Sequence, residues 1–357
     1  MLQPLVTVPI VGMELEAFAV LLIAALAGGA FGAALGALPA FVFTGFVVFL
    51  GEGLAVLEGR LGGLEGVPAG DIATGVTGTI GFGAVTGPHI AFAGGVAATA
   101  YAGRKYPEME PNDWDYHFGK DILYAFGTKP DILAVGAVFG ALGMLITQVM
   151  DSLGFPTDNI ALSVVATAFL ARLAFGYPIV GKVGGSSVLD MSPFEREETR
   201  VAADGGTETD RLATEPWLPH QYEWTGVTAI GIVGGLLGGY IWLETGSVFM
   251  GYAISAMSLL FLNLGVEKIP VTHHITLLGS TGAVIAASAV GSDPVVLLVA
   301  GAFGAISALV GELSQRVFYS HSGTHVDPPA MAIAALMLVI GVLYLAGLLP
   351  NAGYLAL

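Results

Sequence analysis

The chain has 357 residues, of which 55% are hydrophobic and only 11% are charged, and its formal net charge is −16. Soluble globular proteins carry about 25% charged residues, so this composition excludes an ordinary soluble domain and indicates an integral protein of the lipid bilayer. The excess of acidic residues argues against nucleic acid as a partner. The chain contains no cysteine, which excludes disulfides and thiolate chemistry.

Ten apolar segments predict transmembrane helices, since most approach the roughly 20 residues that span a bilayer. The glycine-rich stretch 70–87 predicts a re-entrant segment packed within the protein, because exposed irregular backbone is not tolerated in lipid. The predicted fold is therefore an all-α polytopic membrane protein with about ten transmembrane helices. The segments lie at about 18–38, 41–57, 88–103, 130–150 and 159–180, and then at 224–243, 248–264, 270–289, 294–318 and 328–349.

The two sets of five segments resemble each other in sequence. The stretch 87–102, GPHIAFAGGVAATAYA, aligns without a gap on 272–287, THHITLLGSTGAVIAA, and places His89 on His274. Three more blocks align in the same order: 28–51 on 234–257, 127–142 on 291–306, and 158–166 on 327–335. An internal duplication with an odd number of spans predicts an inverted repeat. We predict a first five-helix repeat at 14–181, an acidic cytoplasmic linker at 182–222 and a second five-helix repeat at 223–350.

The distribution of basic residues predicts the orientation in the cell membrane. With ten spans, only Arg60 falls on one face and Arg172 lies within a span. Basic residues concentrate in cytoplasmic loops, so we expect both termini outside. The acidic, lysine-poor loops resemble those of proteins from salt-loving archaea. The basic residues on the other face are Arg104, Lys105, Lys120, Lys129, Lys182, Arg196, Arg200, Arg211, Lys268 and Arg316.

Two histidine–aspartate pairs are the first candidates for a transport pathway. The repeat and the span parity place His89 at the level of Asp158, and His274 at the level of Asp327. A carboxylate would orient its histidine and raise the histidine pKa. The alternative is that both aspartates are helix N-caps and that the histidines lie in hydrated interfaces.

Arg172 and Glu312 are the second pair of candidates, because charged side chains within spans are costly and usually face a partner or a water-filled path. Both fall in the cytoplasmic half of their spans, and Gln148 occupies the position aligned with Glu312. The sequence predicts an ion pair between Arg172 and Glu312. That pair would either hold the two halves together or lie in the pathway.

Three histidines on the predicted inner face, His273, His321 and His325, are candidate metal ligands. His321 and His325 are four residues apart, which suits metal binding on a helix. Gly323 between them argues against a helix and favours a polar loop. No motif in the sequence specifies a cofactor.

The five-plus-five arrangement resembles that of urea transporters and ammonium channels. The stretch LPAFVFTGF at 38–46 is similar to a urea-transporter motif but lacks its second proline, and the histidine in each half resembles the paired pore histidines of ammonium channels. This resemblance is architectural and implies a channel or secondary transporter for a small solute or ion, with the pathway between the repeats and a homo-oligomeric assembly. The alternatives are a membrane-embedded metalloenzyme that uses the inner histidines and a scaffold subunit without transport activity; the sequence favours transport over catalysis.

Overall fold

The computed structural model describes residues 7–61, 75–111, 114–201 and 208–357, and these residues form a helical protein with a short two-stranded ribbon. The first half contains α1 (Leu15–Leu35), α2 (Ala37–Leu61), the π-helix α3 (Gly75–Gly81), α4 (Ala93–Lys105), α5 (Pro130–Ser152) and α6 (Asn159–Ala174). The middle contains α7 (Ser192–Glu195) and the antiparallel strands β1 (Thr199–Val201) and β2 (Glu208–Leu212). The second half contains α8 (Trp224–Thr245), α9 (Phe249–Asn263), α10 (His273–Ala287), α11 (Asp293–Ser314) and α12 (Pro328–Leu345).

Two of these helices join π-helical turns: Pro88–Phe92 leads into α4, and Gln315–Tyr319 extends α11. Each of the ten predicted segments therefore overlaps a helical segment, although α6 ends at Ala174 and the predicted segment extends to 180. Of the described helices, six are long and apolar enough to cross a membrane, namely α1, α2, α5, α8, α11 with its π-turn, and α12. The chain is thus a mostly helical protein with the features of a multi-pass membrane protein. Residues 70–74 of the predicted re-entrant segment lie outside the described residues.

Close packing around glycine joins α1 to the π-turn before α4 in the first half, and α8 to α10 in the second half. In the first half, a Cβ on Gly32 of α1 would collide with the carbonyl oxygen of Ala91, in the π-turn before α4. In the second half, a Cβ on Gly238 of α8 would collide with the carbonyl oxygen of Thr276 in α10. Small residues let the backbones of membrane helices approach this closely. The two collisions occur at aligned positions of the sequence repeat.

The helices that begin at the candidate histidines start beside the middle of their neighbours. The carbonyl oxygen of His89 lies against Gly143, near the middle of α5. In the second half, Ser307 near the middle of α11 donates a hydrogen bond to the carbonyl oxygen of His274 at 3.0 Å. Non-helical residues, 82–87 and 264–272, precede the two helical segments. Both halves therefore contain a helix that begins at about half the depth of the bundle.

The linker forms hydrogen bonds with the end of α11 and the residues that follow it. Arg316 donates to the carbonyl oxygens of Leu189 at 2.6 Å and Tyr222 at 2.8 Å. The backbone N–H of Glu215 donates to the carbonyl oxygen of Ser320 at 3.0 Å. Residues 213–218, which are buried or half-buried, are consequently part of the folded core at this end of the bundle.

Candidate functional site

A cavity of about 2090 Å³ lies between the two halves. Residues from α1, α2, α5 and α6 of the first half and from α9, α10 and α12 of the second half contribute to its wall. Five pairs of aligned positions are among these residues, so both halves of the chain contribute aligned positions to the same space. The pairs are Pro88 and His273, Phe92 and Leu277, Asp158 and Asp327, Ala161 and Ala330, and Val164 and Ile333.

The wall of the cavity includes residues at both ends of the helical bundle. At one end are Glu14, which precedes α1, and Asp151, near the end of α5. At the opposite end are Asp115 and Lys268, in the loops that follow α4 and α9. One cavity therefore has lining residues near both ends of the bundle.

Aromatic and imidazole rings form the centre of the wall. The ring centroid of Phe41 lies 4.7 Å from that of His273 and 6.0 Å from that of Tyr252. Phe92 lies 6.0 Å from Phe41 and 5.7 Å from His325. All five side chains line the cavity. These rings come from four helical segments and one loop, and sequence reasoning identified only the two histidines.

The predicted pairing of His89 with Asp158 is not formed. Asp158 caps α6 by accepting a hydrogen bond from the N–H of Ala161 at 2.8 Å, and its other oxygen accepts the hydroxyl of Tyr354 at 2.7 Å. His89 lines the cavity, and its buried Nδ1 atom has no hydrogen-bond partner among the described residues. The N-cap interpretation of Asp158 is correct, and Tyr354 takes the place predicted for the histidine.

The second half repeats this outcome with a different partner. Asp327 caps α12 by accepting from the N–H of Ala330 at 2.8 Å, and its other oxygen lies 3.2 Å from Nε2 of His325. The prediction that His274 pairs with Asp327 is therefore wrong, because a histidine two residues before the aspartate already occupies that position. His274 is 2% exposed and packs beside Gly311.

The predicted ion pair between Arg172 and Glu312 is also wrong. The Arg172 guanidinium is completely buried and donates to the backbone carbonyls of Ile179, Phe318 and Thr324 and to the Thr324 hydroxyl, the last three at 2.8 Å each. Arg172 thereby fixes the loop between α11 and α12.

Glu312 has a partner on its own helix. It accepts from Nε of Arg316 at 2.5 Å and from the Gln315 amide at 3.0 Å. The spacing of four residues puts Glu312 and Arg316 on one helix face. Gln148, at the aligned position in α5, lines the cavity.

The candidate metal ligands do not converge. In the part of the chain that the structure describes, no group of three or more His, Cys, Asp or Glu residues is arranged to hold a metal ion. Nε2 of His321 lies 3.1 Å from the carbonyl oxygen of Val188, and His325 is bonded to Asp327. Of the three, His273 and His325 face the cavity as parts of its ring wall.

A buried ion cluster lies at the end of the cavity beside the linker. Glu215, on the linker, is completely buried and lies 2.8 Å from Nζ of Lys120 and 2.5 Å from Nδ1 of His117. Burial alone would raise the pKa of Glu215, but Lys120 and His117 hold it well below its usual range. Burial lowers the pKa of Lys120 to about 8. Lys120 also lines the cavity, so this cluster joins the linker to the cavity wall.

Sequence reasoning missed this cluster because Glu215 stands among many acidic linker residues. The available signal was Lys120, one of only 12 basic residues in the chain, in the aromatic-rich loop WDYHFGKD at 114–121.

Comparison with known proteins gives one result. The profile of a family of unknown function, DUF7973, matches residues 10–357, so the chain belongs to this family. No curated protein and no solved structure matches the chain.

Proposed function

We propose that this member of the DUF7973 family is a membrane channel or secondary transporter that moves a small solute or ion between its two halves. The observation that carries the proposal is the cavity, which is lined from both ends of the bundle and by equivalent positions of both repeats. A path of this kind has no use in a scaffold subunit. The separated histidines give no support to the metalloenzyme alternative.

The helices that begin in mid-bundle support the same function. Transporters with inverted repeats place their binding sites where interrupted helices begin, near the bilayer midplane. Here α10 and the helical segment leading into α4 begin beside the middle of their neighbours, and both first turns contribute to the cavity wall through Pro88 and His273. Non-helical backbone at this depth is tolerated because it is buried in protein or faces a water-filled space.

The architecture we propose is two inverted five-helix repeats with ten spans. It is supported by the equivalent glycine contacts and by the aligned cavity positions. We also propose that both termini lie outside, with the linker in the cytoplasm. In intact cells, a membrane-impermeant thiol reagent should label Ala289→Cys, between α10 and α11, but not Glu195→Cys in the linker. Labelling of Glu195→Cys without permeabilisation would reverse the orientation.

Solute flux into proteoliposomes tests the function. Vesicles that contain the protein should take up at least one member of a panel of small cations, anions and neutral solutes faster than protein-free vesicles. Ala330→Trp places a bulky side chain in the cavity and should suppress this uptake. Val138→Trp is the matched control, since Val138 is 59% exposed on the outer surface of α5. Equal uptake by protein-containing and protein-free vesicles for every solute would contradict the proposal.

A further inference from the structure

We propose that the solute is a small organic cation, of the alkylammonium or guanidinium class, that binds at the centre of the cavity. This inference rests on the function proposed above and specifies its substrate. It comes from the chemistry of the central wall, whose described residues supply hydrogen-bond acceptors and aromatic rings but no free cationic group.

Acidic side chains outnumber basic ones in the cavity wall. Among the described residues, seven carboxylates and two lysines line the cavity. Asp158 and Asp327 are the least exposed of them, and each has one oxygen bonded to a backbone N–H and the other to a single side chain. A carboxylate oxygen accepts more than one hydrogen bond, so both aspartates retain acceptor capacity for a ligand. The other five are Glu14, Glu16, Asp115, Asp151 and Glu267.

Each basic group near the cavity either has hydrogen-bond partners or lies at the mouth of the cavity. Lys120 is paired with Glu215 at 2.8 Å. Arg172 is not part of the cavity wall, and its guanidinium donates hydrogen bonds to backbone carbonyls and to the Thr324 hydroxyl. Lys268 lies at the mouth beside Glu267. An anionic solute would therefore meet no uncompensated cation at the centre of the cavity.

An unpartnered side chain provides independent evidence for a ligand. His273 is 94% buried, given its exposure of 6%, and it lines the cavity without a hydrogen bond to its Nδ1 atom among the described residues. A neutral imidazole nitrogen accepts a hydrogen bond from an N–H donor. A buried polar atom without a partner is costly, and a ligand rich in N–H groups would remove that cost.

The aromatic rings favour a cation over a neutral donor. Phe41 and Tyr252 lie within ring-contact distance of His273, with centroids at 4.7 Å and 5.6 Å. The negative face of an aromatic ring attracts a desolvated cation. Together with Asp327, these rings form a site suited to a flat or compact organic cation. A strongly hydrated metal ion would need more oxygen ligands than this wall supplies.

The experiment compares guanidinium with urea, which has nearly the same shape and no charge, and with formate as a small anion. In proteoliposomes, guanidinium should enter at least about tenfold faster than urea, a ratio that a single charge-assisted contact can supply. Asp327→Asn should reduce guanidinium flux to the urea rate. Asparagine is itself a good N-cap, so α12 keeps its start. Asp293→Asn, at an exposed position outside the cavity, is the matched control and should retain the preference.

A second variant, Phe41→Leu, tests the same site in case Asp327→Asn does not fold. Phe41→Leu keeps an apolar side chain but removes the ring, and it should lower the guanidinium-to-urea ratio by several-fold. If urea or formate enters as fast as guanidinium, the cation assignment is refuted while the proposed path stands. If no solute enters at all, the proposed function fails as well.

Discussion

Removing the carboxylate of Glu215 should lower the free energy of unfolding by about 3–5 kcal/mol, the usual cost of leaving a buried charge without its partner. Glu215→Leu would leave the charge of Lys120 without a partner. Lys120 is 1% exposed and has no other carboxylate within ion-pair distance among the described residues. Lys120→Met should cost less, because Glu215 keeps His117 at 2.5 Å and Arg200 at 3.9 Å. Chemical denaturation in detergent would measure both variants.

The double variant Lys120→Met with Glu215→Leu isolates the interaction. It should be clearly more stable than the sum of the two single losses predicts, since neither charge is left alone. Arg196 and Glu198 form an exposed ion pair at 2.6 Å in the same linker, and Glu198→Gln should leave stability unchanged because such pairs contribute little. Strict additivity in the Lys120–Glu215 cycle would show that the cluster does not act as a coupled unit.

Gly32→Ala and Gly238→Ala should each destabilise the protein by about 1–3 kcal/mol or more, the cost of overpacking a close contact. In each case the new methyl group would meet a backbone carbonyl, which cannot rotate away as a side chain can. The two losses should be similar, because the glycines occupy aligned positions of the repeat. Thermal unfolding in detergent measures them.

Gly226→Ala is the control for these variants. Gly226 lies in α8 with no atom within 4 Å of an added Cβ, so alanine there should be neutral or stabilising through its higher helix propensity. If Gly226→Ala lowered stability as much as Gly238→Ala, Gly32 and Gly238 would act through backbone flexibility rather than packing.

The helical segments were predictable because their signals are local. Long apolar runs indicate spans, and proline or aspartate at a helix start fixes its boundary. Pro130 begins α5, and Pro328 begins α12 directly after Asp327. The sequence alignment also paired Asp158 with Asp327, and both residues line the cavity and cap a helix.

The side-chain partners were not predictable, because depth along a helix does not specify direction around it. Arg172 was assigned to Glu312 from depth alone, yet it points to the loop that contains Thr324. Tyr354 reaches Asp158 across 196 positions of sequence, a contact for which no local pattern exists. By contrast, the pair between Glu312 and Arg316 is predictable from their spacing of four residues, because the π-turn continues α11 as far as Arg316.

The central claim is that the solute passes between the two repeats, and thiol modification of single cysteines tests it directly, since the native chain has none. Val164→Cys and Ile333→Cys occupy aligned positions of the cavity wall, and Val138→Cys on the outer surface is the control. A small hydrophilic thiol reagent should modify both cavity cysteines and stop solute flux, while flux through the Val138→Cys protein continues. Undiminished flux after complete modification of Val164→Cys and Ile333→Cys would show that the solute does not cross there.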